Sequence, residues 1–473
     1  MGELDDFELR LSYRIVAGNS GIQYRSKYYG DNVVGGYQAD FEAGKTYSGI
    51  LYEERGRGIL AKRGQKVRID EKGKKNAIGS VGDTNEIQAA IKHEQWNDYI
   101  ITARGNHLTH TINGHKTIEV IDDHKARRAM KGILALQIHV GPPMVVQFKN
   151  IRLKRLKLTD GRKKVVFVAG RPSHRAGDHE HNAGTQLLAS CLSHTEGFLT
   201  ANYVNGPQGK PRCGGDGWPL DPTAFDNADS IVLYMDGGGG HPFGRQSDRL
   251  AKVMDRGVGL ACLHYAVEVV KGKPGEHFLD WIGGYFETHW SVNPHWELKN
   301  GKLAKDHPIT RGVPTPFTVN DEWYYNMRFR KDMKGVTPIL SGVPPDSTRE
   351  RGFGPHSGNA YVKSRKGEEE IVAWAAEREG NDGRGFGFTG GHFHRNWGNE
   401  GFRKLVLNAI AWVSHAEVPK TGIVSTASDE DLQSNLDPKG RRRRPPQKKA
   451  VKPTGAKKFE SKTVEKGPID IEV

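Results

Sequence analysis

The sequence predicts two domains, an all-β sandwich and then an α/β domain with a parallel sheet, followed by a basic tail. Residues 1–157 contain runs in which apolar and polar side chains alternate, as they do in half-buried strands. Residues 162–416 instead alternate short apolar runs with helix-like segments, the pattern of β-α-β units. Residues 420–473 lose this periodicity and are rich in Lys, Arg and Pro, so we expect a disordered tail.

Three features predict the sandwich. The stretch FELRLSYRIV alternates, and its apolar face would carry Phe7, Leu9, Leu11, Tyr13 and Ile15. Asn113-Gly114 separates two alternating runs, which predicts a hairpin with a two-residue turn. The stretches ILALQIHV and VVQFKNIRLKRL predict two further strands. Because long helical periodicity is scarce here, an antiparallel sandwich is the natural class.

Four apolar runs predict neighbouring parallel strands in the second domain: VVFVA, SIVLYMD, VGLACLHY and GRGFGFTGG. Helix-like segments such as TQLLASCLSH, SDRLAKVMDRG and FRKLVLNAIAWV accompany them. Ligands of open parallel sheets bind beyond the carboxyl ends of the strands. We therefore expect the side chains that follow these four runs to face one crevice.

The four strand ends carry six imidazoles and a carboxylate: His174, His179, His181, Asp236, His264, His392 and His394. Imidazole is a common metal ligand and titrates near neutral pH. His179 and His181 are candidate ligands of a divalent metal, and hydrogen bonding of the set to a polyhydroxy substrate fits equally well. Cys262 is either a nucleophile or a small buried apolar residue.

The stretch DEWYYNMRF is a candidate sugar-recognition segment. Asp321 and Glu322 could hold hydroxyl groups, while the rings of Trp323 and Tyr324 could stack on sugar C–H faces. The alternative is a strand that packs its aromatic side chains inward. Arg395, which follows the last strand end, is a further candidate for substrate binding.

The charge pattern does not favour a nucleic-acid partner. The formal net charge is +14, but residues 439–473 contain 12 Lys/Arg and 4 Asp/Glu, a net +8. The body of the chain is therefore only mildly basic.

We find no apolar run of the length that a membrane span needs, and no signal peptide in the first residues. Three cysteines argue against a disulfide framework.

Residues 163–415 resemble the trehalose-utilisation (ThuA-like) family. The resemblance rests on VVFVAGRPSHRAGDHEHNAG, DSIVLYMDGGGG, RGVGLACLHYA, HPITRGVPTPFTVNDEWYY and GFGFTGGHFHRNWG. It implies a flavodoxin-like sheet related to class I glutamine amidotransferases and a role in disaccharide catabolism through 3-keto sugars. It also implies functional roles for His174, His264, Asp321, Glu322, Tyr324, His392 and His394. LACLH and GGHFH lack the elbow and His-x-Glu pattern of a glutaminase.

Residues 6–156 resemble the 3-keto-disaccharide hydrolase domain, a concanavalin-like jelly-roll sandwich. The resemblance rests on DFELRLSYRIVAGNSGIQYRSK, VGGYQADFEAGKTYSGILYEERGRG, EQWNDYIITARGNHLTHTINGH and ILALQIHVGPPMVVQFKNIRLKRL. Such domains carry one or two strands before this segment and an export signal. The resemblance therefore implies a truncated N-terminus and a periplasmic or secreted protein, with a cytoplasmic one as the alternative.

The chemistry implied by this second resemblance is loss of the C2 proton beside a 3-keto group, expulsion of the C1 substituent and addition of water. It needs a general base, an oxyanion stabiliser and a proton donor. Arg25 is the candidate stabiliser, and Asp40, Glu53 or His139 the candidate base. Asn19, Gln38 and Trp96 are candidate sugar contacts.

These observations predict a carbohydrate-processing enzyme that cleaves 3-keto glycosides in the sandwich and acts on related keto sugars in the α/β domain. The alternative is a sandwich that only binds carbohydrate and is attached to a sugar-processing α/β domain. Both hypotheses have a carbohydrate partner, and a divalent metal in the α/β domain is possible under either. The sequence leaves the oligomeric state open.

Overall fold

The computed structural model describes residues 3–141, 143–205 and 212–439. Most of the predicted basic tail, from residue 440 onward, lies outside the described residues. The described segments contain a β-sandwich and an α/β domain in the predicted order.

The stretches of alternating apolar and polar residues in the first domain form strands. A short helix, α1, spans Thr84–Ala89. The strands are β1 (Phe7–Ile15), β2 (Asn19–Gly30), β3 (Val33–Glu42), β4 (Leu51–Glu54), β5 (Gly58–Ala61), β6 (Gln65–Ile69), β7 (Lys75–Ser80), β8 (Asn97–Arg104), β9 (His107–Ile112), β10 (His115–Asp122), β11 (Ile133–Leu136) and β12 (Val146–Arg155).

Two sheets form the sandwich, in the orders β12-β1-β8-β9-β10-β6-β7 and β11-β2-β3-β4-β5. All the apolar side chains predicted for one face of β1 are buried in the core between the sheets. The hairpin β9–β10 turns at Asn113 and Gly114, both with positive φ, as the two-residue turn requires. The strand predicted over ILALQIHV ends early, at Leu136, and Ile138 and Val140 are exposed.

The α/β domain contains the predicted runs as strands, with additional strands inserted before the last of them. Its helices are α2 (His181–Ser193), α3 (Pro242–Arg245), α4 (Ser247–Met254), α5 (Lys273–Ile282), α6 (Asp346–Arg349), α7 (Ala360–Ser364), α8 (Glu400–Val413) and α9 (Asp429–Gln433). Its strands are β13 (Lys163–Ala169), β14 (Phe198–Tyr203), β15 (Ser230–Tyr234), β16 (Gly259–Leu263), β17 (Gly284–Tyr285), β18 (His295–Leu303), β19 (Phe317–Glu322), β20 (Arg328–Phe329), β21 (Val336–Gly342), β22 (Glu370–Glu377) and β23 (Arg384–Phe388).

The four predicted strands are neighbours in one nine-stranded sheet, β14-β13-β15-β16-β23-β22-β21-β18-β19. The pairs from β14 to β23 are parallel, and the pairs from β23 to β19 are antiparallel. The carboxyl ends of β13, β15, β16 and β23 therefore lie side by side. The antiparallel half brings the end of β19, with Glu322, to the same edge.

Buried polar contacts join the two domains. Asp5 of the sandwich accepts from Lys164 Nζ at 2.5 Å and from Asn227 Nδ2 at 2.9 Å. Arg155, at the end of β12, pairs with Asp221 at 2.6 Å, and both side chains are almost completely buried. These buried ion pairs indicate a fixed contact between the domains.

The predicted start of the tail, residue 420, is too early, because residues 420–439 pack against the α/β domain. The backbone of Ile423 donates to Asn408 Oδ1, and the Ile423 side chain is buried. A capping box at Ser428 and Asp431 starts α9. The Lys439 side chain at the end of this segment is buried, and its Nζ lies 3.2 Å from Glu180 Oε1. Within the described residues, every helix is too short or too polar to cross a membrane.

Candidate metal centre

Four buried side chains converge at the carboxyl edge of the sheet, and we call them the quartet: His179, His264, Glu322 and His392. The Nε2 atoms of His179 and His264 are 3.1 Å apart. His179 Nε2 is 3.0 Å from His392 Nδ1. Glu322 Oε2 lies 3.1 Å from His392 Nδ1 and 3.4 Å from His264 Nε2. Ligand atoms about 2.0–2.2 Å from a tetrahedral zinc ion are separated by similar distances.

The outer nitrogens of two quartet imidazoles face hydrogen-bond acceptors. His179 Nδ1 donates to Asp236 Oδ1 at 2.8 Å, and His264 Nδ1 donates to the Thr389 carbonyl at 2.8 Å. A neutral imidazole that donates from Nδ1 has a bare lone pair on Nε2. Such outer contacts are the usual means of fixing a metal-binding tautomer.

Two bare Nε2 atoms 3.1 Å apart repel each other unless a positive charge lies between them. A proton is disfavoured, because burial lowers the pKa of His179 to about 2. The Glu322 carboxylate is ionised: burial acts to raise its pKa, but the contacts with His264, His295 and His392 lower it well below the ordinary value. The quartet therefore has the donor set and the charge that suit a divalent transition metal ion.

The local backbone is bent to bring these imidazoles together. His174, His179 and His264 have φ values of 58°, 47° and 54°. Residues other than glycine seldom occupy this left-handed region, and each instance costs on the order of 1–3 kcal/mol. His264 adopts it directly after β16, at the start of the turn His264–Val267. Such conformations cluster at functional sites.

Asp321 positions the loop that carries His392, and the structure does not place it where a catalytic acid would act. Its fully buried carboxylate accepts from the backbone nitrogens of Gly391 and His392, at 2.9 and 3.0 Å, and from Asn396 Nδ2 at 2.8 Å. Gly391, with φ 115°, takes the backbone conformation that this turn needs.

The predicted aromatic platform is only partly available. Trp323 is completely buried against Phe388 and Phe402 and donates to the Val319 carbonyl, so it cannot stack on a sugar. Tyr324 is also buried, but its hydroxyl lies 3.2 Å from His264 Nε2 at the quartet.

The remaining predicted residues at this edge do not join the quartet. His174 is exposed and stacks on His179 with ring centroids 3.6 Å apart. His181 is buried, and its Nδ1 donates to the Arg171 carbonyl, so only one of the two predicted ligands, His179, belongs to the quartet. His394 turns away, with its Nε2 3.1 Å from the Leu432 carbonyl. Arg395 is exposed, its guanidinium over the Phe393 ring.

Sequence reasoning missed three contacts of the quartet. His295 Nε2 is 3.5 Å from Glu322 Oε1, and Asn293 Nδ2 donates to the same oxygen at 3.2 Å. Asp178 faces His392 Nε2 at 3.5 Å. His295 lies at the start of β18, an antiparallel strand whose place at this edge no local pattern revealed.

A cavity of about 590 Å³ reaches Asp236 beside the quartet. Asp236, which holds His179, forms part of its wall together with Gly170, Arg171 and Gln246. The volume lies within the range of about 300–1,000 Å³ that is usual for small-molecule sites. Asp236 thus links the quartet to this cavity, although none of the four quartet side chains lines it. Burial acts to raise the Asp236 pKa, but the hydrogen bond from His179 lowers it overall.

In the sandwich, Asp40 and Gln38 form a polar group on β3. Gln38 Nε2 donates to Asp40 Oδ1 at 2.7 Å, and Gln23 donates to Gln38 Oε1 at 2.9 Å. Burial raises the pKa of Asp40 to about 7, which is suitable for a group that exchanges protons near neutral pH. His139 is close enough to act on the Asp40 pKa, although its own side chain is exposed.

The other predicted sandwich residues make contacts of their own. Arg25 is fully buried, pairs with Asp6 at 2.8 Å and donates to backbone carbonyls, so a substrate enolate cannot reach it. Glu53 is buried in an ion pair with Arg57 at 2.6 Å. Trp96 lies under Lys149, whose ammonium is 4.0 Å from the ring centroid. Asn19 begins β2, opposite Glu42, and is half-buried.

Comparison with known proteins gives two family matches. Residues 2–154 match the model of the 3-keto-alpha-glucoside-1,2-lyase-like domain. Residues 216–413 match the trehalose utilisation model. The second match starts later than residue 163, so the His174–His181 loop lies outside it. No curated protein matches the chain.

Several solved structures are similar to parts of the chain. A candidate glycosyl hydrolase from Parabacteroides distasonis is 21% identical over 33% of this chain and 80% of its own, with a TM-score of 0.23. The carbohydrate-binding module CBM66 from Bacillus subtilis is 14% identical over 32% of this chain and 76% of its own, with a TM-score of 0.21. PurLQS from Thermotoga maritima is 12% identical over 53% of this chain and 99% of its own, with a TM-score of 0.27.

Both family matches carry descriptions that concern sugars, and they follow the order predicted from the sequence. The chain joins a segment that matches the 3-keto-alpha-glucoside-1,2-lyase-like domain to a segment that matches the trehalose utilisation domain.

Proposed function

We propose that this chain is a carbohydrate-processing enzyme that acts on 3-keto glycosides at a divalent metal centre in the α/β domain. The observation that carries the proposal is the quartet, in which two bare Nε2 atoms, a third imidazole and an ionised carboxylate converge. The two sugar-related family matches support the substrate class.

The proposed reaction is removal of the proton beside the sugar ketone, followed by loss of the C1 substituent and addition of water. A bound metal would supply Lewis-acid polarisation of the ketone oxygen. Asp236 keeps the His179 lone pair directed inward, and the Thr389 carbonyl does the same for His264. The buried Tyr324 hydroxyl lies 3.2 Å from the same His264 Nε2.

A second candidate function, elimination in the sandwich itself, is favoured by Asp40. This buried carboxyl group has a pKa raised to about 7, so both of its protonation states are accessible near neutral pH. Glu53 is engaged in an internal ion pair, which leaves Asp40 and the neighbouring His139 as the candidate bases of this domain, and the candidate stabiliser Arg25 is paired with Asp6. Without that chemistry, the sandwich acts as a carbohydrate-binding module for the α/β domain.

The test is an assay of the full chain with a 3-keto disaccharide, in which the released monosaccharide is followed. The α/β proposal predicts that a chelator and His392→Ala abolish release, while Asp40→Asn leaves the chemical step intact. Loss of release in Asp40→Asn, with normal release in His392→Ala, would assign the reaction to the sandwich. His115→Gln, an exposed substitution in the β9–β10 hairpin, is the matched control.

A further inference from the structure

A second histidine–carboxylate pair lies in the α/β domain, outside the quartet. Glu268 is buried, and both of its carboxylate oxygens contact His356 Nε2, at 2.9 and 3.0 Å. The hydroxyl of Thr288 donates to Glu268 Oε1 at 3.2 Å, which fixes the carboxylate further. The His356 side chain is 33% exposed, so solvent and small molecules reach its ring.

The pair lies next to the metal centre. Glu268 follows His264 by four residues, directly after the turn His264–Val267 at the end of β16. The Tyr265 ring is 6.0 Å from the ring of His179 and 6.4 Å from that of His356, between centroids. Phe286 contacts both Tyr324 and His356, with centroids 5.3 and 5.4 Å apart. The Tyr265 ring therefore lies between the pair and the quartet, and Phe286 lies between the pair and Tyr324, whose hydroxyl faces His264.

We propose that His356, beside the quartet, is a catalytic proton-transfer residue and that Glu268 is its positioning residue. The carboxylate accepts from Nε2–H, so a neutral His356 presents the lone pair of Nδ1. An imidazole that is oriented by a carboxylate in this way serves as the general base in many enzymes. The inference rests on the proposed function, because it assigns the base for the keto-sugar reaction.

In the assigned step, Nδ1 takes the C2 proton of a 3-keto glycoside, and the C–H electron pair forms the C2=C3 bond of an enolate. When the C3 carbonyl re-forms, the C1–O bond breaks and a C1=C2 bond appears. The imidazolium returns its proton to the departing oxygen, giving an alcohol and an unsaturated keto sugar. The step is redox-neutral, and His356 ends as it began.

The charges around His356 set its titration. The hydrogen bond to Glu268 raises the pKa of His356, burial lowers it, Glu322 raises it further and Arg351 lowers it. A general base works in its neutral form, so activity should rise with pH through the His356 pKa. Removing the Glu268 charge should move this rising limb to lower pH.

The test follows exchange of the C2 proton of a 3-keto disaccharide in D₂O by NMR, with zinc-loaded full-length chain. We expect His356→Gln to slow exchange by about 100-fold or more, the usual effect of losing a general base. The amount of zinc bound by His356→Gln should equal that of wild type, and His115→Gln should exchange the proton at the wild-type rate. Glu268→Gln should slow exchange, because its amide N–H can face Nε2 and favour the tautomer with the proton on Nδ1, and the residual exchange should show a rising limb of its pH profile at lower pH.

Wild-type exchange in His356→Gln, together with lost exchange in His392→Ala, would overturn the role of His356 and leave the proposed function standing. Absence of exchange and of sugar release in the wild-type enzyme would instead refute the proposed function, and this role with it. An unshifted pH profile in Glu268→Gln would show that Glu268 does not position the base.

Discussion

Asp236→Asn should weaken metal binding without removing a quartet residue. The Asp236 carboxylate accepts from His179 Nδ1 at 2.8 Å and so leaves His179 Nε2 bare. An amide of the same shape offers an N–H group to Nδ1, which favours the tautomer with the proton on Nε2 and blocks the ligand atom. Loss of such an outer contact typically weakens metal affinity by about 10–100-fold. This corresponds to about 1.4–2.8 kcal/mol of binding free energy.

The assay is competition between the metal-free protein and a chromophoric chelator for Zn²⁺ or Co²⁺ at pH 7. Asp248→Asn provides the matched control, because Asp248 is exposed on α4 and pairs with the exposed Lys273. Equal affinities for wild type and Asp236→Asn, with an intact fold by circular dichroism, would refute the tautomer argument.

Three further predictions concern the domain contact, the sandwich and the C-terminal segment. Arg155→Met leaves Asp221 buried without its partner at 2.6 Å and should cost about 3–5 kcal/mol in urea unfolding, whereas exposed Arg152→Met should cost little. Because burial raises the Asp40 pKa from 3.8 to about 7, ionisation of Asp40 destabilises the fold increasingly between pH 4 and 7. The free energy of unfolding of Asp40→Asn should therefore increase relative to that of wild type across this pH range. A difference between the two free energies that stays constant with pH would contradict this. Lys439→Met removes an ammonium that donates to the carbonyls of Asp178 and His179, so it should lower zinc affinity several-fold by titration, while exposed Lys420→Met should not.

The sequence predicted the two-domain architecture because each domain has its own hydrophobic period. The alternation in β1 placed its buried face correctly, and the four apolar runs proved to be neighbouring strands. Parallel order then placed the loops with His179, His264 and His392 at one edge. The predicted start of the tail at residue 420 was too early, because Ile423 and Lys439 are fixed by contacts with residues far away in sequence.

The composition of the candidate metal centre was only partly predictable. Adjacent residues such as Asp321 and Glu322 looked equivalent in sequence, yet one caps a backbone turn and the other joins the quartet. Trp323 looked suited to sugar stacking, but its side chain points into the core. The contacts of His295 and the Glu268–His356 pair depend on how the antiparallel half of the sheet and its loops fold over the edge, which local patterns do not encode.

The most direct test of the metal centre is anomalous diffraction from crystals of the full chain grown with Zn²⁺ or Mn²⁺, measured at the absorption edge of the metal. We predict one strong peak among His179 Nε2, His264 Nε2, Glu322 Oε2 and His392 Nδ1, at about 2.0–2.2 Å from the coordinating atoms in a zinc complex. Ordered quartet side chains without a peak between them, at metal concentrations that saturate binding elsewhere on the chain, would contradict the account.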